Sequence, residues 1–142
     1  MLNVTYTLGR ILLPLIFIVE GIRKLMNVGG IAGTLQDNNV PIPDEIVPYL
    51  GGIAKFEAVG YLIGAVEVIC GLMILVGLKA RWGAAVLVVF TACNIYFVHH
   101  FWDMQGAAYM DNMRQALLNI SIMGGLLLVA ACGSAPSAID RR

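Results

Sequence analysis

Four long apolar stretches limit the folds that this chain of 142 residues can adopt. They run over residues 7–26, 58–76, 82–101 and 116–132. An α-helix rises about 1.5 Å per residue, so about 20 residues cross a hydrocarbon layer of roughly 30 Å. Unpaired backbone groups cost several kcal/mol each in lipid, so such segments must be helical. The pattern therefore predicts an all-α fold, an integral membrane antiparallel four-helix bundle, with one domain over residues 1–142.

The composition supports a lipid bilayer as the main partner of the chain. Hydrophobic residues make up 59% of it, charged residues only 13%, and the mean hydropathy is +0.82. Soluble domains carry about 25% charged residues. The formal net charge is zero, so no basic excess points to nucleic acid. Cys70, Cys93 and Cys132 form no CxxC pair and no metal-binding spacing, so we expect no metal site.

The connections between the stretches predict the topology. Residues 77–81 are too few for anything but a tight turn between antiparallel helices. Residues 27–57 form a long loop in which Pro and Gly argue against a long helix. Lys79 and Arg81 in the short turn favour the cytoplasmic side. We therefore expect a multi-pass protein of the cytoplasmic (inner) membrane. Both termini would lie in the cytoplasm and the 27–57 loop on the opposite side of the membrane.

Three charged residues lie near the end of the first stretch. Glu20, Arg23 and Lys24 stand at positions i, i+3 and i+4, so they share one face of a helix. One interpretation is an anchor for an anion or a substrate. The other is an ion pair within the helix, with Lys24 extending its amino group to the membrane interface.

Glu67 lies near the middle of the second stretch, with no cation within one helical turn in sequence. It shares a stripe with Gly60, Gly64 and Gly71, and small residues at this spacing are typical of closely packed helices. We therefore expect Glu67 to face the inside of the bundle. Two functional interpretations of Glu67 are a proton relay and a hydrogen-bond partner of a quinone or another substrate. The structural alternative is a polar contact that fixes helix packing.

Further polar residues lie at the same end of the third and fourth stretches. His99 and His100 end the third stretch and precede Trp102, a residue typical of membrane interfaces. Arg114 and Asn119 begin the fourth stretch. Each of these residues is either an interfacial or packing residue or a contact for a ligand.

Together these residues predict a polar site that opens outward between the four helices. Glu67 and His99 are the candidate catalytic, proton-handling residues. The candidate substrate-binding residues are Glu20, Arg23, Lys24, His100, Trp102, Arg114 and Asn119.

The order of several short motifs resembles the DoxX family of membrane proteins. The motifs are Arg10 before an apolar run, Glu20-Gly21-Ile22-Arg23-Lys24-Leu25, Val40-Pro41-Ile42-Pro43, Glu67 to Arg81 with Cys70-Gly71 and Gly77, His99-His100-Phe101-Trp102, and Asn119 to Leu128 with Gly124-Gly125. The resemblance covers nearly the whole chain. It implies a four-helix bundle in a bacterial or archaeal cytoplasmic membrane.

The resemblance also implies redox work, because some members are similar to the membrane subunit of a thiosulfate:quinone oxidoreductase and others associate with superoxide- and thiol-handling proteins. We expect a membrane subunit of a redox system, with quinone as the candidate cofactor and a redox protein or a second copy of the chain as partner. Its chemistry would concern sulfur, thiols or oxidative stress. Any enzymatic activity would be that of an oxidoreductase subunit, not of a complete enzyme. The alternatives are a non-enzymatic scaffold, chaperone or assembly factor, as among eukaryotic relatives, and a small-solute transporter.

Overall fold

The computed structural model describes residues 2–133, and within this range every regular element is helical. Six α-helices follow in chain order: α1 (Leu2–Leu12), α2 (Leu15–Met26), α3 (Val28–Asp37), α4 (Lys55–Val76), α5 (Ala80–Phe97) and α6 (Gly106–Cys132). Short 3-10 helices occupy Asp44–Tyr49 and Phe101–Asp103. Four segments are long and apolar enough to span a membrane: Val4–Met26, Lys55–Val76, Ala80–Asp103 and Gly106–Cys132. The protein is therefore an all-α, multi-pass membrane protein, as the apolar stretches predict.

The four spans pack mainly in chain order around the bundle. Helix α2 packs against α4, α4 against α5, and α5 against α6. The end of the bundle that holds the α4–α5 turn, Val4 and Gly133 is called the terminal end here. The opposite end, with residues 27–54 and 98–105, is called the loop end.

The first span is interrupted at Pro14, which is fully buried. Helix α1 ends at Leu12 and α2 begins at Leu15, because proline lacks the N–H that would continue the helical hydrogen bonds. The interruption is local, since Leu13 N donates to Gly9 O and Ile18 N donates to Pro14 O. Residues 4–26 therefore form one span with a break near its middle.

Close contact between α2 and α4 depends on glycine. A Cβ atom at Gly21 would lie 2.8 Å from the carbonyl oxygen of Gly64, and one at Gly71 would lie 2.8 Å from Ile18. A Cβ atom at Gly60 would lie 3.2 Å from the side chain of Val28 in α3. The glycine stripe of α4 thus packs closely against its neighbours, as its spacing predicts, and this orients α4 so that Glu67 faces inward.

The well-packed core lies in the terminal half of the bundle. Its fully buried members Ile74, Leu87 and Leu126 come from the terminal halves of α4, α5 and α6. The α4–α5 turn closes this end, with Gly77 in the left-handed conformation (φ 75°) and Leu78 N donating to Met73 O. The loop half of the bundle lacks such a core among the described residues and contains a cavity instead.

The loop contains one short α-helix, and the sequence argued only against a long one. Residues 28–37 form helix α3, which has 10 residues and includes three glycines. The side chain of Asn27 accepts a hydrogen bond from Gly30 N at the start of α3, and Val28 and Leu35 are buried on the side of α4. Capping and burial outweigh the low helix propensity of glycine, and the prolines begin only at Pro41.

Candidate functional site

A cavity of about 930 Å³ occupies the loop half of the bundle. This volume is within the range of small-molecule sites, roughly 300–1,000 Å³. Most of its lining is apolar, with a few polar side chains. The lining residues are Leu13, Ile16, Phe17, Glu20 and Lys24 from the first span; Ile31, Thr34, Leu35 and Val40 from α3 and the residues after it; Val59, Ile63 and Glu67 from α4; Phe90, Thr91, Cys93, Asn94, Phe97, Val98 and His99 from the third span; and Gln115, Leu118, Asn119, Ser121 and Ile122 from α6.

The central polar feature of the cavity is an ion pair between two spans. Lys24 Nζ lies 2.5 Å from Glu67 Oε1, and the side chains are 17% and 3% exposed. The Lys24 amino group also lies 5.4 Å from the centre of the Phe90 ring, a distance typical of cation–π contacts. The Lys24 amino group therefore turns into the bundle, and the sequence-based alternative in which it extends to the interface is wrong.

Two buried polar atoms of the cavity have no hydrogen-bond partner among the described residues. They are Glu67 Oε2 and Asn119 Nδ2. Glu67 is 2% exposed and Asn119 is 8% exposed. A buried polar group without a partner costs about 1–3 kcal/mol, and more if it is charged. Glu67 and Asn119 line the cavity, and these two atoms, an acceptor and a donor, are covered and without a partner among the described residues.

Five of the nine sequence-predicted site residues line this cavity. They are Glu20, Lys24, Glu67, His99 and Asn119. Glu20 lies at the cavity edge, where its Oε1 accepts a hydrogen bond of 2.9 Å from the exposed Arg23.

The other four predicted residues, Arg23, His100, Trp102 and Arg114, do not line the cavity. Arg23 is 72% exposed in its side chain, and Arg114 is exposed as well. The rings of His100 and Trp102 contact each other at 6.3 Å between centres, at the loop end. The interpretation of these residues as interfacial stays a prediction.

His99 reaches the cavity because α5 ends before it. The apolar stretch 82–101 predicts a continuous helix with both histidines at its end, but α5 stops at Phe97. His99 N instead donates to Asn94 O, and His99 Nδ1 shares a hydrogen bond of 2.9 Å with Asn112 Oδ1 of α6. The half-buried imidazole therefore lies at the loop end of the cavity, held between two spans.

The polar and aromatic lining of α5 was not singled out from the sequence. Phe90, Thr91, Asn94 and Phe97 follow at spacings of 1, 3 and 3, which places them on one side of the helix. Thr91 is buried and donates to Leu87 O, so its hydroxyl is already satisfied. The polar positions within this apolar stretch were a usable signal for the cavity face of α5.

Arg10 is buried at the terminal end, away from the cavity. Its Nη1 donates to the carbonyl oxygens of Ile74 and Leu75, at 2.8 and 3.0 Å. These carbonyls belong to the last turn of α4, where helical partners run out and the helix dipole favours a cation. Arg10 therefore fixes the first span to the end of α4.

The described residues offer no group of three or more His, Cys, Asp or Glu side chains that is arranged to hold a metal ion. Cys70, Cys93 and Cys132 are free thiols. Cys70 is buried in the core, whereas Cys93 lines the cavity.

These features define a class: a four-span α-helical membrane protein with a cavity at a buried Lys–Glu pair. Comparison with known proteins agrees with this class, since the family model named DoxX matches residues 5–100. The chain belongs to the DoxX family. The matched segment contains Lys24, Glu67 and His99, while Asn119 lies beyond it.

Two curated relatives match nearly the full chain. The inner membrane protein YphA of Escherichia coli (strain K12) is 31% identical over 135 residues, which cover 95% of this chain and 87% of YphA. The uncharacterized membrane protein Rv3486 of Mycobacterium tuberculosis is 27% identical over 154 aligned positions, which cover 94% of this chain and 77% of Rv3486. No solved structure is significantly similar to the chain.

Proposed function

We propose that this protein is the membrane subunit of a redox system and binds a lipid-soluble quinone in the cavity of its loop half. The observation that carries the proposal is the buried ion pair of two cavity-lining residues, Lys24 and Glu67, in which Glu67 Oε2 has no hydrogen-bond partner among the described residues. The two opposite charges neutralise each other, so the site favours an uncharged ligand with polar oxygens. The apolar lining suits a ring and the first part of an isoprenoid tail.

The residues of the cavity offer hydrogen bonds to both redox forms of a quinone. Lys24 has three N–H donors, of which Glu67 Oε1 takes one, so the amino group retains donors for a quinone carbonyl. Asn119 Nδ2 is a second donor to a carbonyl oxygen. Glu67 Oε2 accepts the hydroxyl of the reduced form. Retention of both forms is what a subunit that mediates quinone reduction needs.

Quinone reduction takes up two electrons and two protons, and the proposal assigns these to different sources. A partner redox protein supplies the electrons. Glu67 transfers protons at the ligand, and His99 exchanges them with the aqueous side, since it lies at the loop end of the same cavity. His99 is the better placed of the two histidines, because His100 does not line the cavity.

The location of the protein is part of the proposal. YphA is named an inner membrane protein, and the positively charged residues Lys79 and Arg81 flank the short turn at the terminal end. We infer that the chain lies in a cytoplasmic membrane with its terminal end toward the cytoplasm. The cavity would then lie in the outer half of the bilayer.

Ligand content of the purified protein tests the proposal. The wild-type protein is solubilised in a mild detergent, washed and extracted with organic solvent, and quinone per polypeptide is measured by mass spectrometry. We expect retained quinone in the wild type and its loss in Glu67→Gln, because the substitution removes the charge that pairs with Lys24. The matched control is Glu57→Gln, the same change at an exposed position of the same helix.

Two outcomes would contradict the proposal. One is a wild-type protein whose quinone content equals that of an unrelated membrane protein purified in parallel. The other is equal retention by the wild type and Glu67→Gln. Either result would favour the non-enzymatic scaffold, in which the Lys24–Glu67 pair serves only to hold α2 against α4.

A further inference from the structure

Among the described residues, Gly125 with Leu13 and Gly133 with Tyr6 bring the first and fourth spans together in the terminal half of the bundle. There a Cβ atom at Gly125 would lie 3.0 Å from Leu13, and the Tyr6 hydroxyl donates to the carbonyl oxygen of Gly133. Among the described helices, α2 and α6 pack extensively on α4 and α5 respectively but hardly on each other. The two spans are therefore joined at one end and separate at the other.

The level at which they separate coincides with the break in the first span. Leu13 precedes Pro14, and beyond this point the same faces of the two helices line the cavity. On α6, Leu118, Ile122 and Gly125 lie on one stripe at spacings of 4 and 3. Gly125 meets the first span, whereas Leu118 and Ile122 border the cavity. The seam between the spans thus opens into the cavity.

Two apolar side chains of this opening lie at mid-membrane depth, and the polar residues Glu20, Gln115 and Ser121 border it as well. Ile16 and Leu118 line the cavity and are 44% and 50% exposed. Ile16 is near the middle of the span Val4–Met26, and Leu118 is near the middle of Gly106–Cys132. At this depth the part of a side chain that is exposed outside the cavity faces acyl chains and not water. At the loop end, by contrast, Ile31 and Leu35 of α3 form part of the cavity wall.

We propose that the seam between α2 and α6 is a lateral portal through which the ligand enters the cavity directly from the lipid phase. The ligand class that fits is an uncharged amphiphile dissolved in the bilayer, with a polar head that reaches Glu67 and Asn119 and an apolar tail that lies in the portal. This inference rests on the proposed function, because it specifies how the ligand reaches the same site.

Reversible closure of the portal tests it. The test variant carries Ile16→Cys and Leu118→Cys in a background with Cys70→Ala, Cys93→Ala and Cys132→Ala. The two introduced thiols are joined by the shortest bis-methanethiosulfonate linker that couples them. The protein is held in lipid nanodiscs, the probe is decylubiquinone, and bound probe is measured by mass spectrometry after washing. The linker is applied either before or after the probe.

The control closes the same seam at the end where the spans already meet. It joins Tyr6→Cys to the native Cys132, with Cys70→Ala and Cys93→Ala, by the same linker chemistry. Tyr6 contacts Gly133, the neighbour of Cys132, so this linker changes no part of the portal. Its uptake and release of decylubiquinone should equal those of the unlinked protein.

We expect loss of uptake when the portal is linked before loading, and retention through washing when it is linked after loading. Dithiothreitol, which removes the linker, should restore uptake and release. Unchanged uptake and release in the linked portal variant, with normal binding by the unlinked protein, would overturn the portal and leave the proposed function standing. An unlinked protein that binds no decylubiquinone would overturn the proposed function, and the portal with it.

Discussion

Removal of the Lys24 charge is the perturbation whose effect the structure specifies best. In Lys24→Met, Glu67 loses the one ion-pair partner that it has among the described residues, while a side chain of similar length preserves packing. Loss of one member of a buried ion pair costs about 3–5 kcal/mol. The Lys24 side chain retains 17% exposure, so we expect the low end, a fall of about 3 kcal/mol in the free energy of unfolding.

Lys24→Met combined with Glu67→Met removes both charges, and apolar replacement of a whole buried pair is often neutral or stabilising by about 1–4 kcal/mol. The double variant should therefore be more stable than either single variant. The assay is equilibrium unfolding in mixed micelles with increasing dodecyl sulfate, followed by far-ultraviolet circular dichroism.

The exposed pair Glu20–Arg23 is the matched control, since its side chains are 43% and 72% exposed. Arg23→Met should change the free energy of unfolding by less than about 1 kcal/mol, as is usual for exposed pairs. If Lys24→Met has an effect equally small, or if the losses of the two single variants simply add in the double variant, the ion pair does not have the energetic role given to it here.

Three further outcomes follow from the packing and the topology. Gly21→Ala would place its Cβ 2.8 Å from a backbone oxygen of α4 and should lower the free energy of unfolding by about 1–3 kcal/mol. In the same assay the control Gly124→Ala should be neutral or slightly stabilising, because its Cβ would have no atom within 4 Å. Arg10→Met removes one buried and one part-buried hydrogen bond to the end of α4 and should cost about 2–3 kcal/mol. A cost below about 0.5 kcal/mol would show that this contact is dispensable. In intact cells expressing a cysteine-free background, Arg142→Cys should resist a membrane-impermeant maleimide while Asp103→Cys reacts, and the reverse pattern would invert the orientation.

The sequence predicts the span architecture well because lipid leaves the backbone few choices. A stretch of about 20 apolar residues must satisfy its own hydrogen bonds, so its length and composition suffice to identify a helix. The inward orientation of Glu67 was predictable for a similar reason, since the glycines at positions 60, 64 and 71 mark the packed side of α4. Helix α3 was less predictable, because its stability comes from capping by Asn27 and from burial against a helix distant in sequence.

Patterns of neighbouring residues did not predict which side chains pair in the site. Lys24 has Glu20 one turn away on its own helix, yet it pairs with Glu67, 43 residues further along the chain. Which partner it takes depends on the close approach of α2 and α4, which sequence spacing does not determine. His99 likewise enters the cavity only because α5 ends two residues earlier, and helix ends are poorly marked where no capping side chain is present.

A ligand-resolved density map of the protein in native lipid tests the central claim most directly. The account predicts a flat, ring-shaped density in the cavity, with its polar atoms within hydrogen-bond distance of Glu67 Oε2 or Asn119 Nδ2 and a tail that leaves between α2 and α6. A map in which those two atoms bond to protein groups instead, with side chains filling the space between the spans, would contradict it.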